Sequence, residues 1–382
     1  MPERLTLYAT TPLGTEDLLA AELGDLGAAK VKQGRGGVRF HANLREALRI
    51  SLWTRIAMRV LYPLGDFQAR GAEGLYRAAS GVEWERYLTA RTTFAVDSTL
   101  KDSEHTHSGF VSLKLKDAIV DRLRKAQGRR PDVDTKDPDV RVVAHLAREQ
   151  LSLSLDLAGE PLHQRGYRIR TVAAPLKETL AAAVLRAAGY AGEEPLWDPM
   201  CGSGTLAIEA AMIAARRAPG LRRRLSVERW PGLGEEATAI LRQLRDEARA
   251  QERKPPHPIA GSDRDPEAVQ AAQRNAAAAK VSGMVRLLEA DATAPGPAPV
   301  EGPGLIVSNP PYGDRLTAGG QKGMKTFYFK LGERLGALKE WRKVLLVGNE
   351  AFESAFHARP TASRWLWNGP IRCQLLSYAA SP

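Results

Sequence analysis

Four consecutive residues after an apolar run carry the groups best suited to chemistry in this sequence. Leu305-Ile306-Val307 is predicted to form a short buried strand, and Asn309-Pro310-Pro311-Tyr312 follows it almost directly. Two adjacent prolines cannot extend a sheet ladder, so the chain must leave the sheet here. Ligands of open α/β sheets bind at the carboxyl ends of strands. We therefore expect an amide, a rigid turn and an aromatic ring at a binding edge.

These residue types suit methylation of an exocyclic amino group on a nucleic-acid base. Such a nitrogen is a poor nucleophile because its lone pair is delocalised into the ring. The Asn309 side-chain oxygen and the Pro310 carbonyl oxygen can each accept one of its two N–H bonds, which frees the lone pair for attack. Tyr312 offers a flat face on which a flipped-out base can stack. The alternative interpretation is a plain turn, which uses the same residue types.

Composition and charge narrow the class of protein. The 382 residues are 43% hydrophobic and 26% charged, and the net charge of +11 favours a polyanionic partner such as nucleic acid. Cys201 and Cys373 are too few for a disulfide framework or a zinc cluster. No apolar run approaches the length of a membrane span, and the amino terminus has no apolar signal core. A cytoplasmic protein of two or three domains is expected.

A glycine-containing loop precedes the proline motif in the chain. Pro195-Leu196-Trp197-Asp198 is predicted to be a strand, residues 199–205 form the loop, and a helix is predicted over 206–216. Backbone amides in such a loop can approach a bound cofactor closely. Gly202 and Gly204 also fit a loose dinucleotide pattern, but an acid is expected about 20 residues further on. Arg222-Arg223-Arg224 stands there instead, which argues against a nicotinamide dinucleotide.

Acidic residues end three consecutive predicted strands of this region. Asp198 ends the first strand, Asp263 ends a strand over 258–263, and Asp291 ends a strand over 285–291. Each aspartate alone is typical of a helix cap or a solvated turn. Three such positions, followed by Asn309 at the end of a fourth strand, indicate one shared binding edge. Asp263 suits two ribose hydroxyls and Asp291 suits an adenine amino group, because carboxylates accept hydrogen bonds from both.

The amino-terminal half is predicted to be α+β and to contact RNA. Strands are expected over 5–9, 38–40, 93–97, 139–147 and 150–157, and helices over 18–26, 44–60 and 112–125. The last helix is basic and is interpreted either as a phosphate-contacting surface or as a solvated face. Its candidate RNA contacts, with one from the connector over 159–175, are Lys114, Lys116, Arg124, Lys125 and Arg168. A basic insertion over 216–257 is either a substrate-contacting flap or a solvated excursion.

The two chemical motifs carry a family resemblance. Asp198–Thr205 (D-P-M-C-G-S-G-T) and Asn309–Leu316 (N-P-P-Y-G-D-R-L) resemble the class I methyltransferases that use S-adenosylmethionine. Together with residues 115–121, 166–168 and 176–183, they make the whole chain resemble the THUMP-domain RNA guanine-N2 methyltransferases. The resemblance is closest to the amino-terminal half of the bifunctional 23S rRNA enzymes of that family.

This resemblance implies an α/β fold with a Rossmann-like class I methyltransferase domain preceded by α+β ferredoxin-like and THUMP domains. The implied domains are 1–65 (ferredoxin-like), 66–158 (THUMP, RNA-binding), 159–175 (linker) and 176–382 (methyltransferase). The implied cofactor-binding residues are Asp198, Pro199, Cys201, Gly202, Gly204, Thr205, Asp263, Asp291 and Asn309. The implied catalytic residues are Asn309, Pro310, Pro311 and Tyr312, and no metal is expected.

The resemblance implies methylation of guanine N2 in 23S rRNA, or in a large-subunit precursor, with S-adenosylmethionine as cofactor. The sequence ends at Pro382, so we expect the N2 activity without the second, 7-methylguanosine-forming domain of the bifunctional enzymes. Three alternatives stay open: a tRNA guanine-N2 methyltransferase, an adenine-N6 DNA methyltransferase, and a non-catalytic RNA-binding assembly factor.

Overall fold

The computed structural model describes residues 4–170, 176–312 and 320–381. The end of the proline motif, residues 313–316, and the last part of the 159–175 connector therefore lie outside the described residues. The chain divides into two compact units, each assembled from separate stretches of sequence. The first unit contains Met1–Thr10, Glu22–Leu162 and Gly220–Glu247, and the second contains Thr11–Ala21, His163–Pro219 and Ala248–Pro382.

Strands and helices are distributed along the whole chain. The strands are β1 Leu5–Thr10, β2 Ala29–Gly34, β3 Gly37–Ala42, β4 Arg59–Gln68, β5 Phe94–Lys101, β6 Val140–Ala147, β7 Gln150–Asp156, β8 Leu196–Asp198, β9 Ile259–Asp263, β10 Arg286–Glu289, β11 Leu305–Ser308, β12 Arg342–Val347, β13 Ala362–Asn368 and β14 Ile371–Tyr378. The helices are α1 Glu16–Asp25, α2 Leu44–Trp53, α3 Gly71–Ser80, α4 Ser108–Gln127, α5 Glu178–Ala187, α6 Thr205–Ala214, α7 Gly234–Ala250, α8 Pro266–Ala278, α9 Gly320–Gly336 and α10 Ala351–Phe356. No helix within these described ranges is both long and apolar enough to cross a membrane.

The first unit is organised around one seven-stranded sheet with the order β2-β3-β1-β4-β7-β6-β5. Neighbouring strands are antiparallel except β5 and β6, which are parallel. Strand β4 joins the part of the sheet made by residues before 59 to the part made by residues after 93. The predicted division between 1–65 and 66–158 therefore falls inside a strand that both halves share.

Helix α2 ends earlier than the sequence predicts. A helix was expected over 44–60, but α2 ends at Trp53, Thr54 is extended, and Val60 lies in β4. The reason is a buried carboxylate far away in sequence. Glu22 accepts hydrogen bonds from the Thr54 hydroxyl at 2.6 Å and from the backbone amides of residues 55 and 56 at 2.9 and 3.2 Å. These bonds replace the ones that a continued helix would supply.

The middle of the basic insertion, Gly220–Glu247, belongs to the first unit, and several of its arginines are held by partners there. Arg223 donates to the backbone carbonyls of Glu160 and Pro161 at 2.8 and 2.9 Å. Arg229 forms ion pairs with residues 137 and 139 at 2.8 and 2.9 Å. Arg245, on α7, donates to Glu228 within the insertion at 2.8 Å. These arginines fit neither the substrate-contacting flap nor the solvated excursion expected for this segment. Their charges pair with groups of the first unit instead.

The second unit is organised around a second seven-stranded sheet, with the order β10-β9-β8-β11-β12-β14-β13. The first five strands are parallel, and the last two are antiparallel to their neighbours. The central strand β11 is buried at every position, as expected for a strand covered by helices on both faces. Its apolar run and the alanine-rich helix α6 form the core from which the loops at the strand ends project.

Candidate functional site

The predicted acidic residues and the asparagine meet at one edge of the second sheet. Strands β10, β9, β8 and β11 are adjacent and parallel, so their carboxyl ends lie on the same side. Asp198 and Asp263 end β8 and β9, Asp291 lies two residues beyond β10, and Asn309 follows β11. Adjacent strands are about 4.8 Å apart, so the four positions span about 14 Å. The structure thus brings together the residues expected at one binding edge.

Asp198 is a buried carboxylate with one oxygen fully engaged. Its Oδ1 accepts hydrogen bonds from the Ser308 hydroxyl at 2.7 Å and from the Met200 amide at 3.2 Å. Only 1% of the residue is exposed, and no ion pair with a cation reaches it from the described residues. Burial raises the pKa of Asp198 to about 7, against the two hydrogen bonds that lower it, and the charge of Asp263 raises it further. Such a carboxylate is suited to receive a cationic ligand.

The glycine loop connects Asp198 to the neighbouring strand. The Gly202 amide donates to the Asp263 carboxylate at 2.9 Å, and the Cys201 amide donates to the Ser262 carbonyl at 2.8 Å. Gly204 has a φ of +85° at the start of α6. A Cβ atom there would lie 2.9 Å from the Cβ of Ala272, so α6 and α8 approach too closely for a side chain. Glycine is required here by backbone conformation and by packing.

The other residues predicted for this loop are buried around it. Pro199 is buried in the turn after β8, and Thr205 begins α6 with 5% of its surface exposed. Burial raises the pKa of the Cys201 thiol well above its usual range, and the negative charges of Asp198 and Asp263 reinforce this shift. The thiol is therefore neutral at physiological pH, which suits packing better than nucleophilic chemistry.

The Asp263 and Asp291 carboxylates are both held by hydrogen bonds in their own loops. Asp263 Oδ1 accepts from the Asp265 amide at 3.1 Å, in addition to the Gly202 bond at Oδ2. Asp291 Oδ1 accepts from the amide and hydroxyl of Thr293, both at 2.8 Å. These bonds lower the pKa of Asp291, so it is ionised at neutral pH. Each carboxylate retains acceptor capacity for a polar ligand.

Two acceptor oxygens of the proline motif have no hydrogen-bond donor in the part of the chain that the structure describes. The side-chain oxygen of Asn309 is buried and has no hydrogen-bond partner in the part of the chain that is described. The Pro310 carbonyl likewise accepts no hydrogen bond from any described residue. The next carbonyl, that of Pro311, accepts from the Tyr328 hydroxyl at 2.7 Å. A buried acceptor without a donor is costly, so this pair indicates a place where a ligand supplies the donors.

Tyr312 occupies a different environment from the one predicted. Only 5% of the residue is exposed, and its hydroxyl accepts a hydrogen bond from the Asn368 side chain at 2.6 Å. A Cβ atom on Gly348 would lie 2.8 Å from the Tyr312 ring, so the ring packs against that backbone. The expected face for a flipped-out base is covered in this conformation. Here Tyr312 anchors the loop in the core, and base stacking would require the ring to be uncovered.

The predicted RNA-contacting cations of α4 lie in three different settings. Lys114 and Lys125 are separated by about three helical turns and share one side, whereas Lys116 lies on another side of the helix. Lys116 pairs with Asp117 at 2.8 Å, and Arg124 pairs with residue 121 at 2.9 Å. Lys125 is exposed, and Lys114 lies over the Phe110 ring at 6.0 Å. The cations that remain available to a phosphate on one side are therefore Lys114 and Lys125.

Arg168 makes internal contacts in the second unit and is separate from those lysines. It forms an ion pair with Glu178 at 2.9 Å and donates to the Leu176 carbonyl at 2.7 Å. It also donates to the Thr205 hydroxyl at 3.2 Å. The predicted RNA contact of Arg168 is therefore not favoured by its surroundings. Its contacts instead hold the connector against the loop that follows β8.

Several residues that position the site were not predicted from the sequence. Ser308 donates to Asp198, Tyr328 occupies the Pro311 carbonyl, and Asn368 holds the Tyr312 hydroxyl. Asn275 on α8 donates to the Ser203 carbonyl at 3.1 Å and is 1% exposed. Of these residues, only Ser308 could have been found from the sequence, because it immediately precedes the motif. The others come from distant parts of the sequence, so no local pattern indicates them.

The donor and acceptor chemistry of this edge fits S-adenosylmethionine. That molecule presents an ammonium group, two ribose hydroxyls and an adenine amino group, all of which donate hydrogen bonds. The edge presents acceptors: a buried carboxylate without a cation at Asp198, and carboxylates at Asp263 and Asp291. Backbone amides of a glycine loop lie between the first two. The fold and this site together define a class I methyltransferase architecture.

Comparison with known families agrees with this class. Residues 165–377 match the family described as "RMKL-like, methyltransferase domain", and the chain belongs to that family. Residues 69–156 match the THUMP domain, and residues 6–61 match the RlmL ferredoxin-like domain. The fold class predicted from the sequence is therefore confirmed, as is the family resemblance.

Individual relatives extend the comparison over the whole chain. Ribosomal RNA large subunit methyltransferase K/L of Syntrophotalea carbinolica is 42% identical over 99% of this chain and 54% of its own length. The chain thus spans about half the length of the curated relatives it matches. A chain described as "SMU.472, a putative methyltransferase complexed with SAH" has a TM-score of 0.88 and 30% identity over 100% of both chains. A Listeria monocytogenes chain described as a predicted N6-adenine-specific DNA methylase has a TM-score of 0.85 and 28% identity over 99% of this chain and 97% of its own.

Proposed function

We propose that this chain transfers a methyl group from S-adenosylmethionine to the exocyclic N2 of a guanine in 23S rRNA. The observation that carries the proposal is the buried side-chain oxygen of Asn309, which has no hydrogen-bond donor among the described residues, next to the Pro310 carbonyl, which accepts no backbone hydrogen bond from them. An exocyclic amino group has two N–H bonds, which matches two acceptors. The family of the chain, its THUMP domain and the relatives that methylate ribosomal RNA support RNA as the substrate.

The residues that hold the cofactor are proposed from the order of the strand ends. Asp198 and the loop of Pro199, Cys201, Gly202, Gly204 and Thr205 bind the methionine part, Asp263 binds the ribose and Asp291 binds the adenine. Asn309, which follows the next strand, would act on the amine that receives the methyl group. Bound S-adenosylmethionine supplies a methyl group that is already activated for transfer. Loop residues therefore have to position and polarise the target amine rather than activate the donor.

Asn309 and Pro310 act on the target nitrogen. Their oxygens accept its two hydrogens, which withdraws the lone pair from conjugation with the ring and directs it outward. Positive charge develops on that nitrogen during transfer, and both acceptors stabilise it because their dipoles are already oriented in a buried setting. The surplus proton then becomes acidic and leaves to water. Tyr328 and Tyr312 fix the same loop through the Pro311 carbonyl and Asn368.

Asn309→Ala tests this role directly. We expect turnover on hypomethylated 23S rRNA to fall about 10²- to 10³-fold, as for other oriented transition-state groups, with SAH affinity largely retained. Asn349→Ala is a matched control, because that amide oxygen follows a neighbouring strand but already accepts from the Ala351 amide at 2.9 Å. The control should keep most of its turnover. Unchanged turnover in Asn309→Ala would show that the unpartnered oxygen has no catalytic role.

Adenine-N6 methylation of DNA is the second candidate, favoured by the similarity to the Listeria monocytogenes chain. The same pair of acceptors fits an adenine N6 group, so the loop does not separate the two bases. The THUMP domain at 69–156 favours RNA. Labelled S-adenosylmethionine offered with hypomethylated 23S rRNA, tRNA and unmethylated DNA distinguishes the substrates, and nucleoside analysis identifies the base. Label found only in N6-methyl-2′-deoxyadenosine from the DNA would exclude the guanine proposal.

A further inference from the structure

A cluster of one exposed indole ring, one half-buried indole ring and an exposed guanidinium lies on the β13–β14 hairpin of the second unit. The Arg372 guanidinium lies 3.9 Å from the centre of the Trp365 ring and 5.8 Å from that of Trp367. Trp367 pairs directly with Arg372 across the two strands, and Trp365 is two residues earlier on the same face. We call Trp365, Trp367 and Arg372 the tryptophan platform.

Trp365 differs from the other tryptophans of the chain by its exposure. Trp365 is 45% exposed, whereas Trp84, Trp197, Trp230 and Trp341 are each at most 6% exposed. Arg372 is exposed, and its side chain forms no ion pair or hydrogen bond with any described residue. The guanidinium covers one face of the Trp365 indole, and this ring, 45% exposed, offers stacking area next to a positive charge that no described residue neutralises. Those two properties together match a nucleotide, which presents a flat base and a phosphate.

The opposite face of the same hairpin contacts the catalytic loop. Asn368, at the carboxyl end of β13, donates to the Tyr312 hydroxyl at 2.6 Å. Strand β13 runs parallel to β12, because each is antiparallel to β14, so its carboxyl end lies at the binding edge. Trp367 is one residue from that end and Trp365 is three, which places the platform within about 10 Å of Asn368 along the strand.

We propose that the tryptophan platform stacks an unpaired nucleotide of the RNA substrate next to the guanine that enters the site, while Arg372 contacts its phosphate. This inference rests on the proposed function and adds a substrate-contacting surface to it. A base extruded from RNA leaves neighbours that have lost a stacking partner, and an exposed indole replaces that partner. The net charge of +11 agrees with a polyanion, whereas a protein partner would need an acidic group for Arg372.

Affinity measurements on the full chain test the proposal. A fluorescently labelled single-stranded RNA of twelve nucleotides is titrated with wild type, Trp365→Ala and Arg372→Ala in the presence of SAH. We expect Trp365→Ala to raise Kd by about 5- to 150-fold, which is the range for loss of one base–aromatic stack. Trp365→Phe should restore most of the affinity because it retains a ring. Phe329→Ala is the matched control, since Phe329 is also an exposed ring of this unit, at 41%.

Further readouts separate this surface from the catalytic role and from misfolding. On 23S rRNA transcripts, Trp365→Ala should raise KM with little change in kcat, whereas Asn309→Ala should lower kcat. Thermal melting and SAH calorimetry should match wild type for Trp365→Ala, because its side chain is outside the core. Wild-type RNA affinity in both Trp365→Ala and Arg372→Ala would overturn the platform and leave methyl transfer standing. If these variants bind RNA like wild type but lose binding to ribosomal proteins freed of RNA, the surface contacts protein instead, and the platform proposal is equally overturned.

Discussion

Replacing Asp198 with asparagine separates two effects of its charge. Burying the charge lowers the stability of the protein, whereas the same charge is expected to raise its affinity for the cofactor. Burial raises the pKa of Asp198 from 3.8 to about 7. A carboxyl whose pKa rises on folding lowers stability above its folded pKa, and the loss fades as pH falls toward its unfolded pKa. The shift of about 3 units corresponds to a cost of about 4 kcal/mol at pH 8 and about 2 kcal/mol at pH 5.

The variant should therefore be more stable than the wild type when no cofactor is bound. Asparagine keeps the oxygen that accepts from Ser308 and Met200, so the charge is removed while both hydrogen bonds remain. In urea denaturation of cofactor-free protein, we expect the gain at pH 8 to reach up to about 4 kcal/mol and to shrink by about half at pH 5. A carboxylate bonded to an ammonium contributes about 1.5–3 kcal/mol, so SAH affinity at pH 8 should fall about tenfold or more.

For Asp198→Asn, stability should rise while SAH affinity should fall, so the two measurements have opposite expected signs. Ser308→Ala serves as control, because it removes a hydrogen bond that lowers the pKa of Asp198 but keeps the carboxyl. Its stability should decrease at pH 8, and its SAH affinity should remain nearer to that of wild type. An Asp198→Asn protein that is less stable at pH 8, or whose stability gain does not change with pH, would show that Asp198 bears no burial cost.

Three further variants test other parts of the two units. Gly204→Ala should destabilise the protein by about 1–3 kcal/mol in urea denaturation, because its φ of +85° strains any other residue, whereas Gly24→Ala, with open space around its Cβ, should not destabilise it. Tyr328→Phe removes the donor to the second proline's carbonyl and should lower kcat several-fold at unchanged SAH affinity; an unaltered kcat would show that the loop does not need this anchor. Replacing Lys114 and Lys125 together with alanine should reduce the slope of log Kd against log salt for RNA by about 1–2, and an unchanged slope would exclude phosphate contacts at α4.

The ends of the parallel strands could be predicted from the sequence because their signals are local. An apolar run predicts a buried strand, and a polar residue directly after it must lie at the edge of the sheet. Asp198 and Asp263 are the last residues of their strands, Asn309 directly follows its strand and Asp291 lies two residues beyond β10, so the structure places all four at the ends of four adjacent strands. To predict that these four residues lie at one edge, it is enough to know that their strands are parallel. The alternation of strands and helices in the sequence predicts such a parallel sheet.

The features that could not be predicted depend on partners distant in sequence. The end of α2 is determined by Glu22, which lies more than 30 residues earlier and bonds to Thr54 and the two residues after it. The basic insertion has the composition of a nucleic-acid contact, yet Arg223 and Arg229 find carbonyls and carboxylates of the first unit. Composition records how much charge a segment carries. It does not record whether a partner within the fold neutralises that charge.

The hydrogen bonds of the proline motif explain why its acceptors are ready for a substrate. Among the described residues, the Pro311 carbonyl has a donor in Tyr328 and Tyr312 has one in Asn368, whereas the Asn309 oxygen and the Pro310 carbonyl have none. Leaving a buried acceptor unsatisfied costs about 1–3 kcal/mol. The two tyrosines hold the backbone so that the loop does not rearrange to satisfy those oxygens. On the proposed function, an amino group with two hydrogens would remove this cost when it binds, so the unsatisfied acceptors would favour binding of the target base.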